Sequence, residues 1–188
     1  MKDLAQGTAI KETTVMGARA AEVGKDEFEW MDEDEEMLKE GQALLKEGEF
    51  EDAAALFEEA LEYAAEEKVG EFSYYLGYTY SLLERGGPAL KYLTDITPDS
   101  LDPFYEEWVL VTGELLVKNL SYDKALVVFE PYIDVYPNGR HIQPVLVLSG
   151  LSSRETGDTV KQQKYLSRAV GLGPDTEWGK VAQNLLSN

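Results

Sequence analysis

The sequence predicts an all-α fold: an α-solenoid of stacked helix–turn–helix repeats with a C-terminal capping helix. Three observations predict it. Apolar residues fall at helical spacing, with Leu38, Gly41, Leu44 and Leu45 before a break at Gly48-Glu49 and Phe50, Ala53, Phe57, Ala60 and Leu61 after it. The pattern then returns: Gly41, Gly77 and Gly113 stand 36 residues apart and Gly150 follows after 37, while Ala53, Ala89 and Ala125 keep step, with Gln162 in the fourth place. A third series, Phe57, Leu93, Phe129 and Leu166, runs in the same register and is large where the other two are small. Small residues let the two helices of a pair approach, and large ones fill the space beside them. A single pair cannot bury its apolar face, so neighbours must stack.

The elements follow in order. Residues 1–33 read as an acidic, flexible N-terminal arm, weakly patterned to Val23 and acidic from Lys25. Its Phe28, Trp30 and Met31 either pack on the first repeat or form a sticky element for a second chain. Four repeats occupy about 34–69, 70–102, 103–138 and 139–174. The first pair runs from Asp34 to Glu67 with its turn near Gly48, and Gly70 ends a helix. The next helix, Phe72–Glu84, is rich in tyrosine and breaks at Gly86-Gly87-Pro88, where the proline suits the first turn of the partner helix. That partner stops before Thr97-Pro98. Asp102-Pro103 reads as N-cap and first-turn proline of Phe104–Lys118, and Leu120-Ser121 turns the chain into Tyr122–Val135. Pro137-Asn138-Gly139 breaks it again, and the next helix holds Pro144 near its start. Gly157-Asp158 leads into Thr159–Val170, and Gly173-Pro174 closes the fourth copy. Residues 175–188 form the cap, with Trp178, Val181, Ala182 and Leu185 as its apolar stripe.

The chain resembles the tetratricopeptide repeat (TPR), a helix–turn–helix unit of about 34 residues. The first copy carries the resemblance in Gly41, Leu44, Gly48, Phe50, Ala53, Phe57 and Ala60, and the second in Leu76, Gly77, Tyr80, Ala89 and Leu93. The third has Gly113, Leu116, Tyr122, Ala125, Phe129 and Pro137; the fourth has Gly150, Gly157, Leu166, Ala169 and Pro174. The family's helix-opening tryptophan is replaced by Met37, Ser73, Val109 and Leu146.

Composition narrows the function. The 188 residues include no cysteine, so disulfides, thiolate metal sites and cysteine nucleophiles are excluded. A net charge of −19 argues against nucleic acid and anionic lipid as partners. The acidity is uneven: residues 1–70 hold 21 acids and 7 bases, whereas residues 138–188 hold 4 acids and 6 bases. Solubility is the simplest reason, and a basic partner or head-to-tail contacts would also exploit it. No apolar run reaches the roughly 20 residues needed to span a membrane. Met1–Ile10 lacks the apolar core of a signal peptide, so a cytoplasmic location is expected.

No catalytic set is visible, and an enzyme is not expected. His141, the one histidine, sits in a turn-like Asn138–His141 stretch without a nucleophile elbow and is expected at the surface. No phosphate-binding loop occurs, and Asp32–Glu36 lacks the alternation and central glycine of a calcium loop. No cofactor or metal is expected.

What remains is a surface. The resemblance implies that the first helix of each pair lines a concave groove for an extended or helical peptide. Aligned on that basis, the groove takes Leu38, Gln42 and Leu45 from the first copy and Tyr74, Tyr78, Ser81 and Leu82 from the second. The third copy adds Leu110, Glu114 and Val117, and the fourth adds Val147, Leu151 and Arg154. About a third of the set is expected to be inter-helix core instead. The carboxylate-binding residues of some family members are absent, since Leu38, Gln42, Tyr75, Glu107 and Val111 stand at those places. The expected function is a non-enzymatic adaptor or chaperone that binds a peptide or helix of another protein, apolar or basic in character. The alternative is a structural protein that forms homo-oligomers through its arm or the ends of its solenoid.

Overall fold

The computed structural model describes residues 33–187, which form nine helices and no strand. The arm readings, with Phe28, Trp30 and Met31, lie outside the described residues. The helices are α1 (residues 33–47), α2 (Phe50–Tyr63), α3 (Val69–Leu82), α4 (Gly86–Thr94), α5 (Tyr105–Lys118), α6 (Tyr122–Val135), α7 (Ile142–Glu155), α8 (Thr159–Leu172) and α9 (Glu177–Ser187). The chain divides into two compact units between Val69 and Gly70.

In the first unit α1 and α2 form one hairpin. Gly48 makes the turn at φ +84°, in the left-handed region that glycine enters without steric cost. Gly41 lies directly against the Phe57 ring, where an added Cβ would overlap it. Leu38, Ala53, Phe57 and Ala60 are buried. Asp34 is buried too, and its carboxylate accepts the Ala65 N–H at 3.0 Å, tying the exit of α2 to the start of α1. The helix therefore ends at Tyr63 and not Glu67, and Gly70 sits in the first turn of α3 instead of terminating a helix. That turn needs no intrahelical donor bond from its N–H groups, so a glycine there costs little.

The second unit is a solenoid of three hairpins, α3–α4, α5–α6 and α7–α8, followed by α9. Each second helix packs on the next first helix, as α4 does on α5, α6 on α7 and α8 on α9. First helices of neighbouring pairs also touch, α5 on α7 and α7 on α9. Gly77 abuts Leu93, Gly113 abuts Phe129 and Gly150 abuts Leu166, so the small and large series of the sequence are contact partners in all four copies. Leu93, Val109, Phe129, Tyr132, Leu146 and Leu166 form one continuous core. The Trp108 indole N–H donates to the Leu93 carbonyl at 2.8 Å, satisfying an orphan acceptor at the end of α4. Between α6 and α8, Glu130 accepts from the Lys161 ammonium at 2.6 Å and the Tyr165 hydroxyl at 3.0 Å.

Several local expectations change. Phe104 is the N-cap of α5, while the Asp102 carboxylate accepts the Asp99 N–H at 2.8 Å and closes the preceding turn. Asp158 does cap α8, accepting the Lys161 N–H at 2.9 Å. On α9, Ala182 is buried as expected but Val181 is exposed. Gly179 takes the packed position, pressed on the Gly173 carbonyl where no side chain fits.

Candidate partner-binding face

The first helices present a common face built on α3, α5 and α7 of the second unit. Its centre is aromatic. The Tyr74 ring stacks on Phe104 with centroids 5.0 Å apart and on Tyr78 at 6.1 Å, and meets Tyr75 edge-on at 4.9 Å. Burial pushes the Tyr74 hydroxyl far above its usual range, the negative charge of Glu107 adds to this, and Arg140 opposes it.

Next to the tyrosines lies an ion cluster. Arg140 grips the Glu107 carboxylate with both terminal nitrogens, at 2.7 and 3.0 Å. His141 Nε2 lies 3.5 Å from the same carboxylate. The neighbouring Glu106 accepts the Tyr132 hydroxyl at 2.5 Å and the Arg140 backbone N–H at 3.2 Å, and the Tyr132 oxygen accepts the His141 N–H at 3.1 Å. Together these bonds fasten the start of α7 to the first turn of α5. The acids also suit the positive end of the α5 dipole. His141, expected on the surface, is half-buried and serves as the N-cap residue of α7. Further along α5, Glu114 is exposed as a residue, yet desolvation raises its carboxyl above the ordinary value, with His141 opposing.

The thirteen residues aligned from the sequence divide, and each unit holds its own part of them. Leu38, Tyr74 and Val147 are core, at 5%, 4% and 2% exposure, and cannot offer a contact surface. They share one register with Leu110, the sixth residue of each first helix, which points toward neighbouring structure rather than solvent; only Leu110 is half-exposed there. In the first unit Gln42 and Leu45 are half-buried. In the second, Tyr78, Leu110 and Val117 are half-buried and pack on the core, Leu151 is half-buried, and Leu82 and Glu114 are exposed. Arg154 is exposed and bound to Glu155 at 2.9 Å. Ser81 donates to the Tyr78 carbonyl at 2.6 Å and lines a separate cavity of about 420 Å³ at the turn ends of α3 and α5. Tyr75, Val111, Glu107 and Arg140 stand outside the aligned set. The Arg140–Glu107 pair spans 33 residues, and no spacing rule brings such residues together. Among the described residues no group of three His, Cys, Asp or Glu is placed to hold a metal ion, and no helix is long and apolar enough to cross a membrane.

No protein-family model matches the sequence, and no curated protein matches it. Solved structures do match the fold. The crystal structure of YrrB, described as a TPR protein with an unusual peptide-binding site, superposes with a TM-score of 0.63 at 23% identity, over 77% of this chain and 71% of that one. The chain has the TPR fold. MamA (41-end) from Desulfovibrio magneticus RS-1 shares it with a TM-score of 0.63 at 20% identity, over 82% of this chain and 91% of that one. TTC0263, a thermophilic TPR protein of Thermus thermophilus, matches with a TM-score of 0.53 at 24% identity, over 82% of each chain. The helical pairs that carry the repeated glycines are thus TPR-like pairs, and α9 follows them as the last helix of the fold.

Proposed function

We propose that the protein is a non-enzymatic interaction module whose α3–α5–α7 face captures a peptide or helix of another protein, in an adaptor or chaperone role. One observation carries this reading: the face keeps a row of half-exposed apolar and aromatic side chains, Tyr75, Tyr78, Leu110, Val111 and Val117, anchored on the core beneath. Tyrosine and leucine held rigidly from below lose little entropy on contact, which suits recognition. The desolvated Glu114 carboxylate beside them favours a partner that places a lysine or arginine among its apolar residues. The shared fold of YrrB, a TPR protein with a peptide-binding site, agrees with that role.

The test begins with capture of partners from the native host by the purified chain and identification of what co-purifies. Affinity is then measured for the double variant Tyr78→Ala, Leu110→Ala. A loss of tenfold or more with unchanged helical circular dichroism is the expected outcome, since central aromatic and apolar contacts dominate such interfaces. Undiminished affinity removes the face from consideration.

A further inference from the structure

The partner-binding face carries one acid that the fold leaves unengaged. Glu114 sits on α5 among the half-buried Leu110, Val111 and Val117, and among the described residues it makes no hydrogen bond and no ion pair. Glu107 lies two turns earlier on the same side of α5, about 10 Å along the axis. His141, at the entry to α7, stands 3.5 Å from the Glu107 carboxylate, and its charge also acts on Glu114.

The other charged and titratable groups around Glu114 and His141 already have partners or stay neutral. On α5, Glu107 is gripped by Arg140 at 2.7 and 3.0 Å, and Glu106 accepts the Tyr132 hydroxyl at 2.5 Å. Arg154, further along α7, is bound to Glu155 at 2.9 Å. Tyr132 of α6 and Tyr74 of α3 remain neutral, because burial pushes both hydroxyls far above the ordinary tyrosine value. Glu114 and His141 are therefore the pair that mild acid can recharge. Imidazoles take up their proton between about pH 8 and pH 5. The Glu114 carboxyl is raised above its ordinary value by desolvation, against the pull of His141.

We propose that mild acid releases the partner from this face, by discharging Glu114 and charging His141 where a lysine of the partner would sit. The proposal rests on the reading of the α3–α5–α7 face as the binding surface. An ammonium group beside Glu114 favours the carboxylate and disfavours a charged His141, so binding expels protons from both. By linkage, capture weakens as pH falls, and the sign is the same for each group. A partner presenting an acid would show the opposite slope, and a purely apolar one would show none.

The experiment follows binding of two synthetic peptides to the full chain by titration calorimetry, from about pH 7.5 to about pH 5.5. Both peptides are amphipathic helices with leucines along one face. One carries a single lysine at the centre of that face, the other a glutamine. The lysine peptide should bind about tenfold more weakly at the acid end, and the glutamine peptide should change by less than about twofold. Glu114→Gln should remove both the lysine preference and the pH response, and His141→Gln should make the response shallower, each with unchanged helical circular dichroism. Equal slopes for the two peptides, a slope that survives Glu114→Gln, or no saturable binding of the lysine peptide overturns the proposal. The face is judged separately by the double variant Tyr78→Ala, Leu110→Ala. If it weakens both peptides while their slopes are equal, the face stands and only the acid release is wrong; if it weakens neither, both readings fall.

Discussion

Glu114 and Trp108 illustrate how single side chains set the properties of the second unit. The Glu114 carboxyl is raised above its ordinary value because desolvation outweighs the attraction of His141. A raised folded-state carboxyl favours folding when protonated, so its relative contribution is present below the unfolded value of about 4.5 and is lost as pH rises through the folded one. Glu114→Gln is therefore expected to raise the thermal midpoint slightly at pH 7, and the gain should vanish below about pH 4.5; a gain that grows on acidification contradicts the sign. Trp108 acts through a buried hydrogen bond to the Leu93 carbonyl. Trp108→Phe leaves that acceptor unpaired and removes ring area, at a cost of about 1–3 kcal/mol by urea denaturation. Neither effect is legible in the chain. The Trp108 bond to Leu93 depends on how α4 and α5 cross. The same holds for Glu107 and Arg140, which meet only because α7 is set beside α5.

At the scale of helices, the repeated glycines decide how closely a hairpin closes. Gly113 leaves no room for a Cβ against the Phe129 ring. Gly113→Ala should therefore cost about 1–3 kcal/mol despite the better helix propensity of alanine, because overpacking exceeds the gain of up to about 1 kcal/mol. Phe129→Leu frees part of that space, so the double variant should lose less than the sum of the two singles. A double-mutant cycle with no coupling would show that the two residues do not meet. The shared register of the small and large series is readable in the sequence, and the structure turns it into this contact. Boundaries are less so. Asp102 reads as the cap of α5, yet its carboxylate is used one turn earlier by Asp99. Capping preference identifies a competent side chain, but several N–H groups compete for it.

At the largest scale, α9 covers the last hairpin of the second unit. The α9 helix packs on both α7 and α8, burying Ala182. The turn before it is fastened to α7 by Gln143, whose amide donates to the Ala169 and Gly173 carbonyls at 3.0 Å and accepts from Thr176. Removing residues 175–188 uncovers that surface, so a thermal midpoint lower by several degrees and concentration-dependent association are expected. Scanning calorimetry with sedimentation distinguishes this from an unaltered monomer, which would deny α9 a capping role.

Periodicity alone determined that the repeats are helical pairs, that they recur every 36 or 37 residues, and that small and large residues keep fixed places within each pair. Those are local or near-local facts, because a hairpin brings residues about sixteen apart into contact whenever its turn is short. Tertiary structure decided the rest: that Leu38, Tyr74 and Val147 are core while Leu110 in the same register stays half-exposed, that Arg140 meets Glu107, and that Thr112 is buried with its hydroxyl unmet. The reason is physical. Which side of a helix is covered depends on the neighbouring pair, and no residue carries that information within its own repeat.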